Sequence, residues 1–175
     1  MNPYPYIIIG LCLIPYTFFL SGAKQPNIIY ILADDMGYGD VAANNPNCKF
    51  PTPFLDQLAE EGMRFSDAHT NSSVCTPTRY GILTGRYSWR TRLKRGVLDG
   101  AAGPLIASDR TTVATYLKKQ GYNTACVGKW HLGMSWPTKD GKKPVRSRGD
   151  NIDFTQPIAN GPNDVGFDYF YGISA

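Results

Sequence analysis

Hydrophobic residues fall along this chain in short blocks, most of them closed by a glycine. The first block, 6–20, is apolar apart from Thr17 and carries Pro15 inside it. It is shorter than the roughly 20 apolar residues that a membrane span needs. Ser21-Gly22-Ala23 supplies small residues at its end, so 1–23 reads as a secretory signal peptide cut near Ala23, with no stable membrane span. No Lys or Arg precedes the run, which leaves only the terminal amine as positive charge. The second block, 26–33, is continuous and of strand length, the pattern of a central strand covered on both faces.

Helical spacing follows. Thr52-Pro53 opens a helix with Phe54, Leu55, Leu58 and Ala59 as its apolar stripe and Gly62 as its stop. Met63-Arg64-Phe65 reads as a short strand. A second helix starts near Cys75, with Pro77 in its first turn and Gly85 at its end. Thr111 or Thr112 caps a third, in which Val113, Tyr116 and Leu117 are expected to pack inward before Gly121. Residues 122–127 form the next strand, and 136–162 read as loop.

Composition adds bounds. The 175 residues suffice for one modest domain, and 42% hydrophobic with 18% charged residues is an ordinary globular balance. The net charge of +4 falls wholly after residue 23. Arg86, Arg90, Arg92, Lys94 and Arg95 form one basic cluster, and Lys139, Lys142, Lys143, Arg146 and Arg148 another. Neither accompanies a nucleic-acid-binding motif or a spaced aromatic platform, so no nucleic-acid partner is expected. Of four cysteines, Cys12 leaves with the signal; Cys48 and Cys126 could pair in an oxidising compartment. Two histidines, His69 and His131, are too few for a His-rich zinc site.

Three stretches carry candidate chemistry. Cys75 stands at the mouth of a helix, where free N–H groups and the dipole favour a negative group, and Arg79 returns to the same face one turn later. The same residues also suit a buried cysteine beside a surface arginine. Asp34 and Asp35 end the 26–33 run; all-oxygen ligation favours a hard cation, Ca²⁺ or Mg²⁺. Adjacent carboxylates meet one ion only if the chain bends, which Gly37 and Gly39 make cheap, and a solvated acidic turn is the plainer reading. Lys129 and His131, two apart at a strand's carboxyl end, suit an anionic reaction centre. His69 reads as a surface or structural residue. Asn71-Ser72-Ser73 matches a glycosylation acceptor too close to Cys75 to be used.

Taken together these stretches resemble one family. Cys75-Thr76-Pro77-Thr78-Arg79 followed by Thr84-Gly85-Arg86 resembles the signature of the type I, formylglycine-dependent sulfatases. Gly128-Lys129-Trp130-His131-Leu132-Gly133 resembles the second signature, and 27–40 and 161–172 resemble further family segments. The resemblance covers about 26–172. It implies an alkaline-phosphatase-like α/β/α sandwich with a mostly parallel central sheet, of which 24–175 is the N-terminal part. It also implies that Cys75 becomes formylglycine through a maturation enzyme, and that Asp34, Asp35 and the residue at 75 bind one Ca²⁺, with Mg²⁺ second. Arg79 and Lys129 would hold the formylglycine hydroxyls, and His131 would hydrogen-bond one and assist as base. One hydroxyl of the aldehyde hydrate would attack sulfur; the other would allow sulfate to be expelled.

The implied protein is a periplasmic or secreted sulfuric ester hydrolase acting on sulfated carbohydrates or aryl sulfates, with the basic clusters helping to draw in sulfated polymers. The family's remaining metal ligands and leaving-group residues are not found in this sequence, so the 175 residues alone are expected to be inactive. Alternatives are a phosphodiesterase or phosphonate hydrolase on the same scaffold, and an anion-binding fragment without turnover.

Overall fold

A computed structural model describes residues 25–146 and 148–175; the expected signal peptide lies outside the described residues. The chain divides at residue 33 into two units. In the first, residues 25–33 form no strand, and Ile29 and Ile31 are 85% and 84% exposed. The expected central strand is therefore not formed. A strand is stabilised by ladder partners on its edges, and no neighbour is paired to this run among the described residues.

The second unit, 34–175, is built from three helices and one parallel strand pair. Helix α1 spans Pro53–Glu61 and α2 spans Cys75–Thr84. Helix α3 spans Val113–Lys119, and the strands are β1, Ala125–Lys129, and β2, Tyr169–Ile173. The pair is in register from Ala125 opposite Tyr169 to Lys129 opposite Ile173. Hydrogen bonds continue past β1, from Trp130 N to Ile173 O at 2.9 Å and from His131 N to Ser174 O at 2.8 Å. A Cβ at Gly172 would stand 1.7 Å from Gly128 O, so the strands approach where both lack a side chain.

Helix ends follow the sequence signals. Pro53 opens α1 and Gly62 caps its end. Gly85 ends α2 in the left-handed conformation, at φ 64°. Thr112, the second of the two candidate caps, accepts from Thr115 N at 3.1 Å, while its own N–H donates to Thr115 Oγ1 at 2.8 Å. Two expectations need correction. On α3 the buried residue is Ala114, while Val113 and Tyr116 are exposed; Thr112 Oγ1 donates to Val165 O at 2.6 Å, which turns the helix by its cap. Residues 63–65 form no strand.

The core gathers Tyr80 of α2 with Leu98, Leu105, Ile106, Trp130, Leu132, Met134 and Val165. Trp130 packs edge-on to Phe167 with ring centroids 6.4 Å apart, and its Nε1 donates to Gly133 O at 2.9 Å. Trp130 and Leu132 of Lys129–Gly133, and Met134 next to it, belong to this core, so the segment that follows β1 is gripped by packing. Residues 136–146 and 148–161 form no helix or named strand and are pinned by antiparallel bridges at Ser135–Ala159 and Thr138–Ile152. Asp168 ties β2 to α3: its carboxylate accepts from Thr124 N and Thr124 Oγ1, both at 2.9 Å, and pairs with Lys118 at 2.5 Å. Those contacts hold its pKa down at about 2, the Lys118 hydrogen bond contributing most.

Candidate active site

Cys75 is the first residue of α2, and no side chain caps that helix. Buried Thr76, Pro77, Thr78 and Tyr80 fix the helix in place. Before it, Asn71 is folded inward, its Nδ2 donating to Pro77 O at 2.8 Å, so the apparent glycosylation acceptor is occupied with structure. Arg79, one turn on, reaches the end of β1. Its guanidinium donates to Lys129 O at 2.5 Å and lies 3.7 Å from Asp34 Oδ1, with the side chain 13% exposed. Its buried Nε has no hydrogen-bond partner among the described residues.

Lys129, the last residue of β1, completes the cluster. Its Nζ donates to Asp34 Oδ2 at 3.1 Å and to Cys75 Sγ at 3.8 Å. Asp34 thus lies between two cations. The Lys129 hydrogen bond, the largest cause, and the charges of Lys129 and Arg79 hold its carboxyl below the usual carboxylate range, against opposing desolvation. Residues distant in sequence, Asp34, Cys75, Arg79 and Lys129, therefore meet at one point. Lys129 reaches both the sulfur and Asp34, and Arg79 reaches the same carboxylate, beside a helix N-terminus, an arrangement that holds an anion and offsets charge building on it.

The other candidates stand differently. Asp35 is exposed and makes no hydrogen bond or ion pair among the described residues; its backbone is left-handed at φ 56°. The bend between the paired carboxylates is thus made by Asp35 itself, a residue type that tolerates this conformation. Gly37 instead has φ −76° and starts a short 3₁₀ turn in which its N–H donates to Asp40 Oδ2 at 2.8 Å. No cluster of three His, Cys, Asp or Glu side chains placed to hold a metal occurs among the described residues. The donors at 34 and 35 are carboxylate oxygens, which fit a hard cation in kind, and two of them are fewer than such a cation's full set.

His131 is 6% exposed and also left-handed, at φ 56°. Strand alternation therefore ends at Lys129, and the shared face expected for Lys129 and His131 does not follow from strand geometry. The ring's Nε2 bonds Leu98 O at 2.7 Å, while its buried Nδ1 has no partner among the described residues. Sequence reasoning missed this carbonyl, since a backbone acceptor leaves no mark in a side-chain pattern. His69 is a surface residue, bonded to Asp67 at 2.6 Å. Cys48, Cys75 and Cys126 are all free, so Cys48 and Cys126 do not pair; burial pushes the Cys126 thiol pKa up.

The sulfatase family model matches residues 26–175. N-acetylgalactosamine-6-O-sulfatase of Bacteroides thetaiotaomicron is 39% identical over 155 residues, covering 89% of this chain and 28% of that protein. Arylsulfatase G of Mus musculus is 40% identical over 159 residues, covering 89% of this chain and 26% of that protein. Among solved structures, one described with the metabolism of multiple glycosaminoglycans by Bacteroides thetaiotaomicron superposes with a TM-score of 0.74 at 40% identity. It is matched over 87% of this chain and 29% of its own length. The chain thus spans a little over a quarter of the relatives it matches. Its parallel pair with flanking helices is part of the α/β, alkaline-phosphatase-like fold of those neighbours. With a match that runs from Pro26 to the last residue and takes in both signatures, the chain belongs to the sulfatase family.

Proposed function

We propose that this chain supplies the nucleophile end of a sulfuric ester hydrolase acting on sulfated carbohydrates or aryl sulfates. One observation carries the reading: Lys129 Nζ is 3.8 Å from Cys75 Sγ and 3.1 Å from Asp34, while Arg79 approaches the same carboxylate. A sulfate ester resists nucleophiles because its own oxygens repel them. Lys129 and Arg79 lower that repulsion and stabilise charge as the ester bond breaks. Arg79 is held for this by its bond to Lys129 O, and its free Nε is a donor facing no protein acceptor. In this reading His131 assists as base toward a hydroxyl at residue 75, and its support is a buried Nδ1 without a partner among the described residues.

The reading has Cys75 matured to formylglycine, whose hydrated aldehyde supplies a nucleophilic hydroxyl and a second hydroxyl for release of sulfate. A maturation enzyme is then a necessary partner, and Asp34, Asp35 and residue 75 are the groups that would hold Ca²⁺. Such an ion, when bound, polarises sulfate oxygens. Calcium takes 6–8 oxygen ligands, more than these residues provide, so the 175 residues alone are proposed not to turn over. Export to the periplasm or exterior belongs to the same reading.

Mass spectrometry of the tryptic peptide 65–79, from protein co-produced with a formylglycine-generating enzyme, tests the proposal. An aldehyde at position 75 is the expected result. An intact thiol overturns it and favours an anion-binding role. Turnover of a phosphodiester in preference to an aryl sulfate, by a matured chain that carries this segment together with the remaining metal ligands, would move the assignment to a phosphodiesterase.

A further inference from the structure

His131 is oriented by something that neither signature contains as a side-chain partner. Its Nε2 lies 2.7 Å from Leu98 O, and a carbonyl only accepts, so Nε2 carries the proton. Nδ1 is buried with no partner, and a second proton there would be an unpaired buried donor. Of the two tautomers the geometry selects Nε2–H, with the lone pair on Nδ1. The other side of the same residue is also held: Leu98 N donates to Thr76 Oγ1 at 3.1 Å. Thr76 is 0% exposed, Leu98 7%, and Thr76 directly follows Cys75 in the first turn of α2. One continuous buried path thus runs from the nucleophile's neighbour, through the Leu98 backbone, to the imidazole.

We infer that Thr76 is a positioning residue: its hydroxyl fixes the Leu98 backbone, whose carbonyl sets the tautomer and orientation of His131. The role given to the Nδ1 lone pair rests on the function proposed above; the tautomer itself does not. The path also links two segments 55 positions apart, the helix that presents Cys75 and the loop that presents His131. Water cannot substitute freely for the hydroxyl, because Thr76 and Leu98 are both closed to solvent.

The chain has two histidines, so ¹⁵N-histidine labelling of the 175-residue protein gives two ring systems. Exposed His69 serves as the internal reference. In the wild type His131 is expected to show a protonated, pyrrole-like Nε2 and an unprotonated, pyridine-like Nδ1. Thr76→Val keeps the shape and removes the polar oxygen; both His131 nitrogens should shift toward tautomer-averaged values. Thr76→Ser should restore the fixed pattern, a rescue that a merely space-filling role would not give. Thr76→Ala is read in its place should the valine protein not fold. A wild-type Nδ1–H or averaged ring overturns the inference, and so does a Thr76→Val or Thr76→Ala spectrum unchanged from wild type. A fixed tautomer in protein whose residue 75 stays an intact thiol when co-produced with a formylglycine-generating enzyme would sink the functional reading and leave this network standing.

Discussion

Gly133 closes the segment that carries Lys129 and His131, and replacing it should loosen that segment. Its φ is +73°, and a Cβ there would stand 2.0 Å from Gly103 O and 2.6 Å from Gly103 C. Both obstacles are backbone, so no side chain can swing aside. The left-handed conformation costs a residue with a Cβ about 1–2 kcal/mol. Relieving the clash also separates two chain segments that are joined by Leu105 N to Leu132 O at 2.9 Å and Met134 N to Ala102 O at 3.1 Å. Each such bond contributes about 0.5–1.5 kcal/mol net. Gly133→Ala should therefore destabilise the protein by about 2–5 kcal/mol, a large share of the roughly 5–15 kcal/mol typical of a domain. Gly85→Ala is the control. Gly85 is equally left-handed at φ +64° with nothing within 4 Å of a Cβ, so only the conformational part, about 1–2 kcal/mol, applies. Urea denaturation followed by circular dichroism measures both, and the midpoints should fall in the order wild type, Gly85→Ala, Gly133→Ala. Equal losses in the two variants would refute the reasoning, since backbone crowding would then contribute nothing.

Other outcomes follow from the same structure. Leu132 is 1% exposed within the core, so Leu132→Ala should lose about 2–5 kcal/mol of stability by denaturant melting, and a loss under 1 kcal/mol would contradict its burial. Asp168 is depressed from 3.8 to about 2, so its stabilising effect is present above pH 3.8 and disappears as pH falls toward 2. Asp168→Asn should flatten that part of the stability–pH curve, measured as the wild-type-minus-variant difference; a difference that does not change between pH 5 and 2 would count against the Lys118 and Thr124 contacts. Lys129→Met removes the largest cause of the low Asp34 pKa, so the Asp34 carboxyl should titrate higher by ¹³C NMR, with Arg79 still opposing a full return. An unmoved titration would mean that Lys129 does not hold Asp34.

Some of this was open to reading from the chain itself. Helix ends depend on a few local atoms, so Thr52-Pro53, Thr112, Gly62 and Gly85 marked theirs correctly. The residues that meet at the site were also legible, because a cysteine, an arginine and a lysine in two signature spacings carry a pattern that composition alone lacks. Strands were read less well. The 26–33 run has the apolar content of a central strand, yet pairing is a property of neighbours, and it forms no ladder here. Spacing placed Val113 and Tyr116 inward on α3, and the bond from Thr112 to Val165 turned Ala114 there instead. Only the tertiary structure could decide that the left-handed turn lies at Asp35 and not at its glycines, that Lys129 joins Asp34 to Cys75, and that Leu98 O holds His131. The contacts of Lys129 and His131 span 33 to 95 positions of sequence, one of them to a backbone carbonyl of a kind that every residue shares, and local pattern carries no information about where such atoms end up.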